Sequence, residues 1–176
     1  MWLRVTGRYD NMELAKRKPT RLKGYDYSAP GAYFVTICTQ GKRHLFGEIV
    51  NGQIQLKNIG RIVNQEIIKI GSHYKNIRID KYVIMPNHIH MIISVLDAEG
   101  INPFPTKRYD ISNVVGKFKA GVTRHVGNAF MHSVKEPIWQ RSFHDHIIRS
   151  KEDYDKIWEY IHTNPLKWES DYYCNN

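Results

Sequence analysis

Cysteine is scarce in this chain of 176 residues, which contains only Cys38 and Cys174. Two cysteines without a CxxC pair do not build a disulfide framework, and the apolar strand pattern around Cys38 favours a buried thiol. Long apolar runs are also missing. The longest, at residues 89–96, is interrupted by His90 and Ser94 and is too short to span a bilayer. These absences exclude a disulfide-rich secreted domain and a chain that spans a membrane.

Acidic residues are outnumbered, with 17 Asp and Glu against 26 Lys and Arg, which gives a net charge of +9. A surplus of this size indicates a polyanionic partner. The N-terminus has no apolar core of the kind a signal peptide needs, so we expect a cytoplasmic protein. The length and the ordinary apolar fraction predict one globular domain with a core of its own.

Basic residues are concentrated in the first 24 residues, which we treat as an N-terminal arm preceding a single domain over residues 25–176. The arm holds seven cations against two acids: Arg4, Arg8, Lys16, Arg17, Lys18, Arg21 and Lys23, with Asp10 and Glu13. Such a segment is either a solvated tail or a basic arm that follows phosphates. The pattern of charges alone leaves both interpretations open.

The apolar periodicity predicts an alternation of strands and helices. Strands are predicted at 32–39, 77–85, 88–95 and 143–149, and helices at 59–70, 111–126 and 151–164. Asn51-Gly52 between apolar runs predicts a hairpin, because both residues tolerate positive φ. Asn58 is the predicted cap of the first helix and Gly71 its stop, and Pro165 ends the last helix near Asn164.

This order of elements predicts an α+β fold, a ferredoxin-like antiparallel sheet with helices packed on it. The hairpin is an insertion, and the C-terminal helix is an addition to that fold. Residues 97–110, rich in proline and glycine, are predicted to form a loop. The face formed by residues 111, 114, 115, 118 and 122 is the predicted core face of the second helix.

Two histidines alternate on one predicted strand in the segment MPNHIHMIISV. Alternation places His88 and His90 on one face, about 7 Å apart along the strand, and an entirely apolar set on the other. Two imidazoles in this arrangement suit one divalent cation. The alternative is a pair of half-buried histidines with hydrogen-bonded rings.

Other histidine chemistries fit the sequence less well. A histidine-triad nucleotide hydrolase would need a third histidine where Ile92 stands, and a two-histidine phosphoesterase would need a second His-x-Ser/Thr on a separate strand. His144 and His146 form another alternating pair, which could approach the site if their strand lies nearby. We expect them to be core residues or to support the first pair.

The last predicted helix carries two tyrosines with different surroundings. Helical geometry groups Tyr154, Ile157, Trp158 and Ile161 into a core stripe, whereas Tyr160 lies on its flank with Asn164 four residues further on. A tyrosine and a carboxamide facing a two-histidine strand would form a nucleophile beside a three-ligand metal site. The alternative is an ordinary boundary tyrosine and a helix-end asparagine.

Three segments together resemble the single-tyrosine HUH transposases, and more narrowly the REP-associated tyrosine transposases. They are GAYFVTICTQ, YVIMPNHIHMII and WQRSFHDHIIRSKEDYDKIWEYIHTNPLKW. The resemblance extends over residues 20–168. It implies that His88 and His90 are metal ligands, that Tyr160 is the catalytic nucleophile, and that Asn164 is the third ligand for Mg²⁺ or Mn²⁺. The third position is glutamine in insertion-sequence relatives and often asparagine in the REP-associated branch.

The resemblance also implies a DNA transposase and single-strand endonuclease. It would cleave and rejoin single-stranded, hairpin-associated DNA through a 5′-phosphotyrosine. Two other functions stay open: a domesticated DNA-binding protein without catalysis, and a metal phosphodiesterase that uses water. A homodimer with the site shared between subunits is also open. The expected DNA contacts are Arg21, Lys23, Tyr25, Tyr27, Arg43, Lys117, Lys119 and Arg124, where the two tyrosines either stack on bases or pack against the first strand.

Overall fold

The computed structural model describes residues 24–97, 109–130 and 136–170. Six strands and three α-helices are described, together with 3₁₀ turns at Gln40–Lys42 and Asn164–Ser170. In chain order the elements are β1 (Gly31–Cys38), β2 (Gly47–Val50), β3 (Gln53–Leu56), α1 (Asn58–His73), β4 (Ile77–Ile84), β5 (His88–Val95), α2 (Ile111–Ala129), β6 (His144–Ile148) and α3 (Lys151–Thr163).

Four strands form one antiparallel sheet in the order β4-β5-β1-β6. With β2 and β3 set aside, this is the strand order of a ferredoxin-like fold, and the predicted fold class is confirmed. β2 and β3 pair separately as the inserted hairpin. Asn51 and Gly52 have φ of 52° and 71°, as the predicted turn requires.

The core lies between one face of the sheet and helices α1 and α2. From β5 this face presents Ile89, Met91 and Ile93, which are fully buried and belong to one cluster with Val63 of α1 and Val114 of α2. The apolar face of the β5 pattern therefore lies under helices, as predicted. The predicted apolar face of α2 is likewise buried.

Helix α3 covers part of the opposite face of the sheet, above β4 and β5. Its N-terminus is capped by Ser150, whose hydroxyl oxygen accepts a hydrogen bond from the Asp153 backbone N–H at 3.1 Å. Ile161 is the buried residue of this helix and lies outside the main core cluster, as does the fully buried Ile92 below it. The sheet thus has a thick helical layer on one side and a single short helix on the other.

Several helix boundaries and one buried stripe differ from the sequence predictions. Lys57, not Asn58, occupies the N-cap of α1, and the helix continues through Gly71 to His73. α3 does stop before Pro165, but the chain continues as the 3₁₀ turn from Asn164, which itself has helical φ and ψ. The prediction that Trp158 is a core residue is wrong. Its side chain is 39% exposed, and the Lys81 ammonium lies 4.2 Å from its ring centre.

The described residues also bear on the membrane and thiol predictions. No described helix is both long enough and apolar enough to cross a lipid bilayer. The Cys38 thiol is free and buried. Cys174, the basic arm up to Lys23 and most of the predicted 97–110 loop lie outside the described residues.

Candidate active site

The two histidines of β5 lie beneath α3 and converge on each other. His88 pairs with Cys38 and His90 with Thr36 in the β1–β5 ladder, so both imidazoles project from the same face of the sheet. Both are at most 1% exposed. Although alternate residues of a strand are about 7 Å apart, the rings turn towards each other, and their Nε2 atoms are 3.0 Å apart.

A hydrogen bond to the other ring nitrogen orients each imidazole. His88 Nδ1 lies 2.8 Å from the amide oxygen of Asn87, whose amide nitrogen donates to the Lys42 carbonyl at 3.2 Å. Because that amide orientation presents an oxygen to the ring, His88 Nδ1 is the donor and its Nε2 carries the lone pair. His90 Nδ1 lies 2.8 Å from the Thr36 hydroxyl.

The electrostatic surroundings favour the neutral form of His90. Burial lowers the pKa of His90 well below its ordinary value, and the neighbouring His88 lowers it further. Neutral imidazole is the form that binds a metal ion. A neutral His90 ring whose Nε2 atom faces that of His88 suits a divalent cation.

Tyr160 brings its hydroxyl to the same point from α3. The hydroxyl oxygen lies 3.2 Å from His90 Nε2 of the same chain. Its ring packs edge-on against Phe34, and the Phe34 ring stacks on His90. At 39% exposure the tyrosine remains accessible to a large substrate. The histidine pair and the tyrosine, which the sequence placed on a strand and on a helix, are therefore in contact.

Asn164 lies one helical turn beyond Tyr160 and is 1% exposed. Within the described ranges no group of three or more His, Cys, Asp and Glu side chains converges as a metal cluster. A cation at the histidine pair would therefore take its further ligands from amide, hydroxyl or backbone oxygen, from water or from substrate. A buried carboxamide such as Asn164 has the right donor chemistry for Mg²⁺ or Mn²⁺.

Six of the eight expected DNA contacts lie in the part of the chain that the structure describes. Arg21 and Lys23 lie outside the described residues. Tyr25 and Tyr27 pack on each other and on Tyr33 of β1, with ring centres 5.1 Å apart between the first two. This arrangement matches the packing alternative, and contact of either ring with a base stays a prediction.

The remaining candidate cations are divided between structural contacts and the far helical layer. Arg43 pairs with Glu136 at 3.0 Å and donates to the carbonyl oxygens of Gln40 and Pro137. On α2, the Lys119 ammonium donates to the carbonyl oxygens of residues 140–142, and burial lowers its pKa. Lys117 lies over the rings of Tyr74 and Tyr109, and Arg124 is exposed on the same helix.

His144 and His146 are not core residues, so that part of the sequence prediction is wrong. Both are exposed on β6, which is an edge strand of the sheet. Their side chains are therefore outside the apolar core. His146 Nε2 lies 2.8 Å from the carboxylate of Asp153 at the start of α3. Their strand is next to β1 and therefore two strands from the histidine pair.

Sequence reasoning missed the residues that hold the site in place. Asn87 adjoins His88 in the chain, so its position in MPNH was a usable signal. Thr36 was not identifiable, because its contact with His90 depends on the β1–β5 register. Trp168, in the final 3₁₀ turn, packs its ring 6.1 Å from that of His88.

A ferredoxin-like sheet with a helix-borne tyrosine over a histidine pair fits one class of DNA-processing enzymes. Residues 32–164, more than half of the chain, match the family described as "Transposase IS200 like". The chain belongs to this family and is a transposase, an enzyme class that cleaves DNA and transfers strands.

Three known proteins illustrate the relationship. Over 179 residues the chain is 38% identical to an uncharacterized protein of Haemophilus influenzae, spanning 95% of this chain and 97% of that protein. It is 25% identical over 142 residues to the REP-associated tyrosine transposase of Escherichia coli K12, spanning 80% and 70%. A solved structure of a REP-associated tyrosine transposase bound to a REP hairpin has the same fold, with a TM-score of 0.58, 23% identity, and coverage of 84% and 74%.

Proposed function

We propose that this transposase is a metal-dependent single-strand DNA endonuclease and strand transferase. Its substrate is single-stranded DNA beside a hairpin, and its intermediate is a 5′-phosphotyrosine on Tyr160. The observation that carries the proposal is the 3.2 Å approach of the Tyr160 hydroxyl to His90 Nε2. Because both groups belong to one chain, this contact itself does not need a second subunit.

His88, His90 and Asn164 are the proposed ligands of Mg²⁺ or Mn²⁺. The support is the convergence of the two Nε2 atoms, the neutral state of His90 and the burial of Asn164. A bound cation would polarise the scissile phosphate and stabilise the negative charge that develops during displacement.

Tyr160 supplies the nucleophile for the proposed cleavage. Its phenol, whose ordinary pKa is about 10, loses its proton as the oxygen forms a bond to phosphorus. The bond from phosphorus to the 3′ oxygen breaks, and that oxygen leaves with a proton as a 3′-hydroxyl. Since the new ester retains the phosphodiester bond energy, the 3′-hydroxyl of another strand can reverse the step and complete strand transfer without ATP.

The similar proteins support hairpin DNA as the partner. The solved structure contains a REP hairpin, and the E. coli relative is named as a REP-associated tyrosine transposase. The net charge of +9 adds a general attraction to phosphate. We therefore propose a hairpin-forming single strand, without assigning its sequence.

The test is to incubate the full chain with single-stranded hairpin oligonucleotides and Mn²⁺. We expect a protein–DNA species that survives denaturing electrophoresis and carries a 3′ label, while a 5′-labelled fragment is released with a free 3′-hydroxyl. Tyr160→Phe should abolish the species. Tyr154→Phe is the matched control, because it removes a tyrosine hydroxyl from the same helix. That hydroxyl donates to Asp80 and does not contact the histidine pair.

Two outcomes would replace the proposal. Salt-sensitive hairpin binding with no adduct under any divalent ion would indicate a DNA-binding protein that lacks catalysis. Cleavage that persists in Tyr160→Phe and releases two free ends would indicate a metal phosphodiesterase that uses water.

A further inference from the structure

One part of the sheet face that carries the histidine pair is left uncovered by α3. The ladder registers place His144, Thr36 and His90 in one row across β6, β1 and β5, and His146, Phe34 and Ile92 in the next. Directly paired residues project from the same face of a sheet. His144 and His146 therefore share the face of the proposed active site.

Burial falls across these rows from β5 to β6, abruptly in the first row, where Thr36 is 3% exposed and His144 is exposed. Ile92 and His90, beneath α3, are at most 1% exposed, and Phe34 is half-buried. His144 and His146 are exposed, the latter with 55% of its side chain accessible. We call Phe34, His144 and His146 the open face; it begins where the Tyr160 ring meets Phe34 and ends at the β6 edge.

The two histidines of the open face differ in their bonding. His146 is held by Asp153, so it links β6 to the first turn of α3. The His144 imidazole makes no hydrogen bond or ion pair with any described residue. An exposed imidazole with an unused N–H, on the sheet face of the proposed cleavage site and two strands from the histidine pair, is suited to donate to a phosphate oxygen.

Two arginines stand at the ends of β6, where they can attract an anionic occupant of the open face. Arg141 is exposed just before β6 and Arg149 just after it, whereas Lys151 pairs with Asp155 at 2.5 Å. Of the nearby acids, Asp153 binds His146 and Asp145 pairs with Val35 on the core side of the sheet, while Glu152 is exposed in the first turn of α3.

We propose that the open face binds the substrate strand beside the scissile phosphate, with His144 donating a hydrogen bond to one specific phosphate. This inference rests on the proposed function, because it takes single-stranded DNA as the ligand. Phe34 supplies an apolar surface for the sugar or base between that phosphate and Tyr160. The His146–Asp153 pair limits the open face at the end where α3 begins.

The test measures binding in the full chain with Tyr160→Phe, so that no cleavage occurs. His144→Ala should raise the Kd for a single-stranded hairpin oligonucleotide about tenfold. His73→Ala should leave it unchanged, because His73 is an exposed histidine of α1 in the opposite layer. A second set of oligonucleotides replaces single phosphates near the cleavage position with neutral methylphosphonates.

A direct contact predicts that one methylphosphonate abolishes the difference between His144→Ala and its parent, while the others leave it intact. A purely structural role for His144 would give no such position. The proposal is overturned if His144→Ala binds like its parent, or if its loss of affinity is the same with every oligonucleotide. Failure of the wild-type chain to form an adduct would instead count against the proposed function alone.

Discussion

Single side chains decide how the histidine pair is presented. The Nδ1 atoms of His88 and His90 face Asn87 and Thr36, and this orientation turns both Nε2 atoms to the same point. Substituting a group that orients a metal-binding imidazole in this way typically costs about 10- to 100-fold in metal affinity. Asn87 is itself held, because its amide nitrogen donates to the Lys42 carbonyl.

We therefore predict that Asn87→Ala weakens Mn²⁺ binding about 10- to 100-fold. The substitution removes the acceptor that fixes the His88 ring and its tautomer. Calorimetric titration with Mn²⁺ measures the affinity, and the Mn²⁺ concentration for half-maximal adduct gives a second value. Asn58→Ala is the control, because Asn58 is exposed on α1 and bonds to Arg61. Equal Mn²⁺ affinities in Asn87→Ala and wild type would show that Asn87 does not orient a metal-binding His88.

At the level of secondary structure, the glycines near the two ends of α1 have different surroundings. A Cβ added at Gly60 would lie 1.9 Å from the carbonyl oxygen of Phe46, so the helix can approach that loop only without a side chain. A Cβ at Gly71 would meet nothing within 4 Å. Gly71 is an ordinary helical position because the helix continues until Tyr74, which is buried and caps it.

We predict opposite effects for two Gly→Ala substitutions in this helix. Gly60→Ala should lower the free energy of unfolding by about 2 kcal/mol or more, because backbone must move to relieve the overlap. Gly71→Ala should raise it by about 0.5–1 kcal/mol, since alanine loses less backbone entropy in a helix. Urea denaturation of both variants measures the difference. Similar values for the two would contradict the close approach at Gly60.

Across the chain as a whole, one buried carboxylate joins the sheet to α3. Asp80 of β4 accepts hydrogen bonds from Arg78 at 2.5 Å, from Ser94 of β5 at 2.6 Å and from Tyr154 of α3 at 3.1 Å. Burial alone raises the pKa of Asp80, but the hydrogen bonds and the Arg78 charge outweigh it, and the net pKa is lowered. The carboxylate form therefore stabilises the folded chain.

This shift predicts a pH-dependent contribution to stability. A lowered folded-state pKa contributes in full above the unfolded value of about 3.9 and is lost as the pH falls below it. Asp80→Asn should lower the free energy of unfolding at pH 7 by about 1–3 kcal/mol. The gap in Tm between variant and wild type should stay constant down to about pH 4 and narrow as the pH falls further, as thermal melts would measure. A gap that is independent of pH would show that the Asp80 charge does not matter.

The sequence was sufficient for the order of the elements and for placing His88 and His90 on one strand and Tyr160 on the last helix. Period-two alternation separates the histidine face of β5 from its apolar face, and Asn51-Gly52 marks the hairpin by its tolerance of positive φ. These properties belong to short windows of chain, where backbone preference and side-chain alternation act locally. The strand order followed from the succession of elements, because few topologies accommodate it.

The packing of distant elements decided what short segments of the sequence could not predict. The ring directions of His88 and His90 depend on the β1–β5 register, and the place of Tyr160 above His90 depends on where α3 rests on the sheet. The same docking left Trp158 and His144 exposed, although their local patterns favoured burial. A periodic pattern specifies which side chains share a face. Whether that face is covered depends on contacts between residues far apart in the chain.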